Sequence, residues 1–261
     1  SGGTANDTLS GGAGDDLLIG GAESADWAGF TAAVTVDLGA GTAFGEGFDT
    51  LNGIENVLAG AGSDSILGDA QANILDGSTG NNTLAGAAGN DTLIGNTGAD
   101  CLAGGIGDDS LFGSSGLDWA NYSAASGAVT VDLSATVPNA TGAEGNDTLS
   151  SIENIRGGNF ADSIMGDSVA NSLDGGLGND TLLGGFGNDT LIGGLGNDSL
   201  VGGAETADWL SHAFATGAVT IDLAVGTTSG AEGSDTLSGI PNALGSNFDD
   251  SLLGDGAVSY T

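Results

Sequence analysis

The segments GGLGNDTLL at residues 175–183, GGFGNDTLI at 184–192 and GGLGNDSLV at 193–201 follow one another without a gap. All three share the nonapeptide G-G-x-G-x-D-x-U-x, in which U is a large aliphatic residue. The glycine-rich part can turn sharply because glycine tolerates positive φ, and x-U-x can form a short strand whose neighbouring side chains point to opposite faces. Two such units would make one coil, with successive coils stacked about 4.8 Å apart. The pattern therefore predicts an all-β fold of parallel strands.

The same nine-residue period extends over most of the chain. An aspartate or asparagine at position six of the nonapeptide is followed two residues later by an aliphatic residue, as in Asp91 with Leu93. Because the aliphatic residues would face inward, we expect a core made of Leu93, Leu102, Leu111, Leu182, Leu191 and Leu200.

Charge is the most unusual feature of the composition. The 261 residues include 35 acidic side chains and a single Lys or Arg, Arg156, which gives a net charge of −34. Such a chain cannot neutralise phosphates, so nucleic acid is excluded as a partner, and the same argument excludes an anionic membrane surface. Two carboxylates about 5 Å apart repel by roughly 3 kcal/mol at an effective dielectric of about 20. A compact fold of this chain therefore requires bound cations.

The sequence also lacks the features of a disulfide-bonded protein and of a protein with a transmembrane helix. The chain has 1 cysteine, Cys101, so no intrachain disulfide can form. No apolar run approaches the roughly 18 residues that a transmembrane helix needs, so membrane insertion is not expected.

The nonapeptide resembles the repeat of the RTX (haemolysin-type calcium-binding) family, and the resemblance covers most of the chain. It implies a right-handed parallel β-roll or β-helix, a solenoid with calcium-binding turns. It also implies that the residues at position six of repeats i and i+2 share Ca²⁺ with loop carbonyls, so multiple calcium ions are the expected cofactor. The ligands that the resemblance implies are the side chains of Asp7, Asp16, Asp64, Asn73, Asn82, Asp91, Asp100, Asp109, Asp118, Asp162, Asn171, Asp180, Asp189, Asp198 and Asp250. The implied carbonyl ligands belong to Gly86, Gly89, Gly95, Gly98, Gly104, Gly105, Gly107, Gly175, Gly176, Gly178, Gly184, Gly185, Gly187, Gly193, Gly194 and Gly196.

Residues eighteen positions apart are the predicted calcium pairs. The pairs with two carboxylates are Asp91 with Asp109, Asp100 with Asp118, Asp162 with Asp180, and Asp180 with Asp198. Pairs that include an asparagine hold one formal charge and should bind calcium more weakly. They are Asp64 with Asn82, Asn73 with Asp91, Asn82 with Asp100, and Asn171 with Asp189.

A second, longer repeat begins at Asp26-Trp27, Asp118-Trp119 and Asp208-Trp209. At Asp26 and Asp208 the acid comes one residue late, so neither is included among the predicted ligands. Each start leads to a strand of alternating pattern and then to an Asp-Thr-Leu triplet. We expect nonapeptide coils at 1–28, 58–121, 158–209 and 245–261, and degenerate, looser inserts at 29–57, 122–157 and 210–244, all within one continuous solenoid.

Catalysis is not expected. His212 is the only histidine, and the long repeats align it with Phe30 and Tyr122, so it should fill an aromatic packing position. Without a second histidine or a lysine, a serine or cysteine nucleophile has no obvious base. A single Arg cannot build the cationic groove of a polysaccharide lyase, and the periodicity explains the paired carboxylates as ligands rather than as a glycosidase pair.

The resemblance implies a calcium-binding structural segment of a secreted bacterial surface protein, such as an adhesin, a surface layer or a self-assembling filament. It is expected to be exported by a type I channel and to fold on binding calcium outside the cell. Its partners would be calcium and other copies of itself or a cell-surface component. The alternative is a C-terminal calcium-binding appendage of a secreted enzyme whose catalytic domain lies outside this chain. Ice binding, known in one branch of the family, is set aside, because position three reads Ala88, Thr97, Ile106 and Ser115 and no threonine ladder is expected.

Overall fold

The computed structural model describes residues 1–21, 25–204 and 207–254, which contain strands, turns and no helix. None of these residues therefore forms a helix that could cross a membrane. The chain divides into two compact units, one of Ser1–Asn121 with Glu144–Ile152 and the other of Tyr122–Ala143 with Glu153–Thr261. The prediction of a single continuous solenoid stays a prediction.

The strands are short and regularly spaced. In chain order they are β1 (Thr8–Leu9), β2 (Leu17–Ile19), β3 (Trp27–Gly29), β4 (Thr35–Asp37), β5 (Thr42–Phe44), β6 (Phe48–Asn52), β7 (Asn56–Leu58), β8 (Ser65–Leu67), β9 (Ile74–Asp76), β10 (Thr83–Ala88), β11 (Thr92–Thr97), β12 (Cys101–Ile106), β13 (Ser110–Ser115), β14 (Trp119–Asn121), β15 (Val129–Asp132), β16 (Ala140–Gly142), β17 (Gly145–Ser150), β18 (Asn154–Arg156), β19 (Ser163–Met165), β20 (Ser172–Asp174), β21 (Thr181–Gly185), β22 (Thr190–Ile192), β23 (Ser199–Gly203), β24 (Trp209–Ser211), β25 (Val219–Asp222), β26 (Thr227–Gly230), β27 (Thr236–Ser238), β28 (Asn242–Leu244) and β29 (Ser251–Leu253).

Alternate nonapeptides pair side by side in each unit. In the first unit the strand orders are β1-β3-β7-β9-β11-β13-β17 and β2-β6-β5-β4-β8-β10-β12-β14. In the second they are β16-β15-β19-β21-β23-β27-β26-β25-β29 and β18-β20-β22-β24-β28. Thr83 lies beside Cys101 and Thr92 beside Ser110, all in parallel register. The predicted coil of eighteen residues and the all-β, parallel-strand fold class are confirmed.

The core is a column of aliphatic side chains on each sheet. The six leucines predicted to face inward are all fully buried, at 0% exposure. The flanking side chains of Thr92 and Thr190 point outward but are half-buried, because neighbouring coils cover them.

Glycine is required where consecutive loops stack. The backbone of Gly196 has φ +158°, and a Cβ added there would lie 1.5 Å from the carbonyl oxygen of Gly178 in the preceding coil. Any side chain at this position would therefore force the two coils apart.

The inserts contain regular strands of their own. Each contributes an antiparallel hairpin, β4–β5, β15–β16 or β25–β26, whose first strand also pairs in parallel with a nonapeptide strand. Val36 and Ala43, which face each other in the first hairpin, are buried. The hairpins extend the sheets because their alternating pattern places an apolar face on the core.

Position three forms a column that chain order did not show. Because alternate repeats stack, Thr79, Thr97 and Ser115 lie side by side and exposed in the first unit, next to Ala61, so the column holds two threonines and no regular threonine ladder. Reading position three in chain order mixed residues from the two sides of the coil.

Candidate metal centre

In each unit, position-six side chains form hydrogen-bonded stacks on both sides of the coil, which together we call the carboxylate ladder. In each step, Oδ1 of one residue accepts the backbone N–H of the position-six residue one coil earlier. Asp109 accepts from Asp91, Asp118 from Asp100, and Asp198 from Asp180, each at 2.8 Å. The structure therefore brings together the predicted partners. The same contact joins Asp162 to Asp180, Asp64 to Asn82, Asn73 to Asp91, Asn82 to Asp100 and Asn171 to Asp189.

The second oxygen of many ladder aspartates has no hydrogen-bond donor. Among the described residues, this holds for Oδ2 of Asp16, Asp26, Asp64, Asp91, Asp100, Asp109, Asp180, Asp198 and Asp208. Asp91 and Asp180 are only 2% and 1% exposed, so water cannot readily compensate. Because a buried polar atom without a partner costs about 1–3 kcal/mol, and a charged one costs more, a bound cation would stabilise the ladder.

At Asp91 and Asp180, a glycine at position one leaves space beside this oxygen. A Cβ on Gly86 would lie 2.2 Å from Asp91 Oδ2 and 2.5 Å from the carbonyl oxygen of Gly104, one coil later. A Cβ on Gly175 would likewise lie 2.5 Å from Asp180 Oδ2 and 2.7 Å from the carbonyl oxygen of Gly193. A carboxylate oxygen and a carbonyl oxygen thus converge at a point that only glycine keeps open.

This donor set fits calcium. Ca²⁺ takes six to eight oxygen ligands at about 2.3–2.6 Å from carboxylates, carbonyls and water. In the described ranges, no three His, Cys, Asp or Glu side chains gather where they could hold a metal ion. An ion on the ladder would therefore depend on main-chain carbonyls, which suits calcium and not zinc.

Not all the predicted carbonyls are equally available. The carbonyl oxygen of Gly176 accepts the N–H of Leu195 at 2.8 Å, and that of Gly185 accepts the N–H of Ala204 at 3.3 Å. Each of these carbonyls has one lone pair left for an ion.

Burial makes the ladder carboxylates hard to ionise without a counter-ion. It raises the pKa of Asp91 and Asp180 to about 6 and that of Asp109 and Asp198 to about 7. Backbone N–H donors oppose the shift but do not cancel it. Repulsion from the neighbouring ladder residue, Asp147 beside Asp109 and Asp235 beside Asp198, adds to it.

The asparagines of the ladder are satisfied without an ion. The Asn73 amide nitrogen donates to the carbonyl of Glu55 at 2.7 Å, while its Oδ1 accepts the N–H of Asp69 at 2.8 Å. Asn171 repeats the arrangement with Glu153 and Asp167, at 2.8 and 2.9 Å. This supports the prediction that sites with asparagine bind calcium more weakly.

Two predicted ligands differ from the rest. Asp250 has both oxygens occupied, Oδ1 by the N–H of Val219 at 2.9 Å and Oδ2 by the N–H of Ser246 at 2.6 Å. Asp162 likewise accepts the N–H of Val129 through Oδ1 and of Gly158 through Oδ2. Each of these carboxylates has less free capacity for a metal than Asp91 or Asp180.

Sequence reasoning missed ladder members at the inserts. Asp26 and Asp208, excluded because they come one residue late, accept the N–H of Asp7 at 2.7 Å and of Asp189 at 2.9 Å. Three further members, Asp49, Asp147 and Asp235, accept from Asp16, Asp109 and Asp198. The segments GAEGNDTLS at 142–150 and GAEGSDTLS at 230–238 held the signal, since each departs from the nonapeptide only by alanine at position two.

Position five carries a second hydrogen-bonded stack that runs in the opposite direction. Oδ1 of Asn90 accepts the N–H of Asp108 in the following coil at 3.1 Å, and Oδ1 of Asn179 accepts that of Asn197 at 2.8 Å. Each Asn-Asp pair thus bonds its loop to both neighbouring coils.

His212 is buried, as predicted for a packing position, but it also has a charged neighbour. Its Nδ1 contacts Oε2 of Glu232, and the histidine is 2% exposed. Glu232 lies at position three of the loop that ends in Asp235. The sequence alignment of His212 with aromatic residues gave no sign of this pairing.

Comparison with known proteins identifies one family. A family model described as the RTX calcium-binding nonapeptide repeat matches residues 1–24, 45–84, 85–120, 150–182 and 174–205, more than half of the chain. No curated protein matches the sequence.

Proposed function

The chain belongs to the RTX calcium-binding nonapeptide repeat family, and on this premise we propose that it is a structural segment of a secreted bacterial surface protein that folds when calcium binds. The observation that carries the proposal is the row of buried aspartate Oδ2 atoms without hydrogen-bond donors, several of which, as at Asp91 and Asp180, lie beside a glycine and a loop carbonyl. The repeat itself is a calcium-binding structural unit and not a catalytic one.

Coupled folding follows from the charge. With a net charge of −34 and with Arg156 as its only Lys or Arg, the chain must bring carboxylates together without internal neutralisation. The free energy of calcium binding is then largely the free energy of folding. In cytosol of low calcium the chain would remain unfolded and fit for export, whereas extracellular modules commonly bind calcium at about 10⁻⁴–10⁻³ M.

Circular dichroism of the purified chain tests this. We expect a disordered spectrum in excess chelator and a cooperative gain of β-structure on adding calcium, because each ion joins two coils. Magnesium should substitute poorly, since it dehydrates reluctantly and demands octahedral geometry. A full β signal in chelator at neutral or higher pH would overturn the proposal.

Self-association in calcium is a further part of the proposal. Leu177 and Leu195 lie at position three of alternate loops, stand side by side and are 43% and 45% exposed, while Phe186 on the other side of the coil is 60% exposed. Apolar side chains repeated on a loop surface favour contact with another copy or with a cell-surface component. Sedimentation at millimolar calcium should show concentration-dependent association that Leu195→Asn weakens. A monomer at every protein concentration would contradict it.

A further inference from the structure

The first insert closes around a cluster of oxygens that lies outside the nonapeptide register. Asp26 is fully buried, its Oδ1 accepts the N–H of Asp7, and its Oδ2 accepts no hydrogen bond from the described residues. A Cβ on Gly20 would lie 2.6 Å from this Oδ2 and 1.8 Å from the carbonyl oxygen of Gly53. The carbonyl therefore comes from the far end of the insert, immediately after β6, and not from the first glycine of the next nonapeptide.

In all three long repeats, the residue that bears this carbonyl has a left-handed backbone conformation. Gly53, Ser151 and Gly239 follow the return strands and have φ of +61°, +52° and +65°. The carbonyl oxygen of Ser151 lies 2.1 Å from a Cβ built on Gly113, and that of Gly239 lies 2.3 Å from one built on Gly202. Since few residues other than glycine adopt positive φ, its recurrence at a serine indicates that the carbonyl direction matters.

Glu55 completes the first cluster. Its Oε2 accepts the N–H of Asp26 at 3.0 Å, the role that an aspartate oxygen plays elsewhere in the carboxylate ladder. In the third long repeat, the residue aligned with Glu55 is Pro241, which brings no carboxylate. Asp208 there is fully buried, and its Oδ2 again accepts no hydrogen bond from the described residues.

We propose that Asp26, Glu55 and the carbonyl of Gly53 bind a calcium ion that fastens the two ends of the first insert together, and that Asp208 with the carbonyl of Gly239 forms a weaker version of this site. This inference rests on the proposed function. To that function it adds a calcium site with a glutamate and a carbonyl from outside the nonapeptide. The site in the third long repeat is weaker because calcium affinity rises with the number of charged ligands.

Equilibrium dialysis against calcium, followed by metal analysis, tests the first site. We expect Asp26→Asn and Glu55→Gln each to lose one bound ion per chain while the remaining ions and the β spectrum in excess calcium are kept. Asp37→Asn is the matched control and should lose none, since among the described residues its carboxylate accepts only the N–H of Ala40, in an exposed turn. If Asp26→Asn and Glu55→Gln bind as many ions as the unaltered chain, the inference is wrong. If the unaltered chain binds no calcium, the proposed function itself fails.

Terbium luminescence tests the site at Asp208 through a gain of signal rather than a loss of binding. A tryptophan directly follows each aspartate of the long repeat, so Trp209 can sensitise an ion held by Asp208. In a chain with Trp27→Phe and Trp119→Phe, we expect Pro241→Glu to raise the sensitised emission severalfold at limiting terbium, because it supplies the missing carboxylate. A gain cannot result from misfolding. Unchanged emission in a variant with its β spectrum intact would count against the site.

Discussion

The nonapeptide at 175–183 contains two leucines in opposite environments, and this difference predicts unequal effects of the same mutation. Leu182 is 0% exposed and lies between Ile164 and Leu200 in the column of core residues, whereas Leu177 is 43% exposed in the loop. Truncation of a fully buried leucine to alanine removes its transfer free energy and leaves a cavity, at a cost of about 2–5 kcal/mol. Burial of a whole leucine is worth roughly 1.5–3 kcal/mol, so Leu177→Ala should cost about 1 kcal/mol or less.

Urea unfolding monitored by far-UV circular dichroism measures both values. The free calcium concentration must be the same for each variant, because bound calcium adds to the apparent stability. Against a typical unfolding free energy of about 5–15 kcal/mol, Leu182→Ala should move the urea midpoint strongly, with little change in the slope m.

The same comparison of a buried and an exposed residue can be made in the next nonapeptide, whose strand lies on the other sheet of the unit. There Leu191 is 0% exposed and Phe186 is 60% exposed. We expect Leu191→Ala to be the more damaging change, although phenylalanine loses more atoms. Equal midpoint shifts within either pair would refute the two-faced strand as the basis of stability.

Two further predictions concern the carboxylate ladder. The folded-state pKa of Asp91, Asp109, Asp180 and Asp198 lies at about 6 to 7, above the ordinary 3.8, so the folded chain binds more protons than the unfolded one. The stability that these groups contribute without calcium is therefore complete below pH about 3.8 and is lost as the pH rises through about 6 to 7. In chelator, the β signal should grow as the pH is lowered from about 7 toward 5, and a signal that stays flat or falls would contradict this. Asp180→Ala should raise the calcium midpoint of folding more than Asn171→Ala, because Asp180 belongs to two carboxylate pairs while Asn171 donates to the Glu153 carbonyl. Equal midpoints would show that charge at position six does not set affinity.

Much of the fold could be predicted because its determinants are local and periodic. The nine-residue spacing of Leu93, Leu102 and Leu111 is enough to derive a coil of two repeats and an aliphatic core. The same spacing places Asp91 next to Asp109 before any coordinate is known. Both predictions need only the period of the strand and the sharpness of a glycine turn.

The insert contacts could not be predicted, because they join residues across intervals that the period does not contain. Asp109 meets Asp147 and Asp198 meets Asp235, over 38 and 37 residues. Only the path of the hairpins determines those distances. Asp26 was missed for a related reason. It comes one residue late in sequence, yet Trp27 still pairs with Thr8 in parallel register, so the aspartate keeps its place in the carboxylate ladder.

The opposed directions of the two hydrogen-bonded stacks limit how such a chain can change length. Asn90 accepts a bond from the later coil, and Asp109 accepts one from the earlier coil. The loop of Asp108 and Asp109 therefore donates one bond and accepts one bond on each of its two sides. Removing or duplicating eighteen residues leaves each loop facing the same kind of neighbour on the same side. A change of nine would carry every later loop, and any hairpin that follows, to the opposite side of the coil. Insertions and deletions should therefore be tolerated when they add or remove whole coils of two repeats.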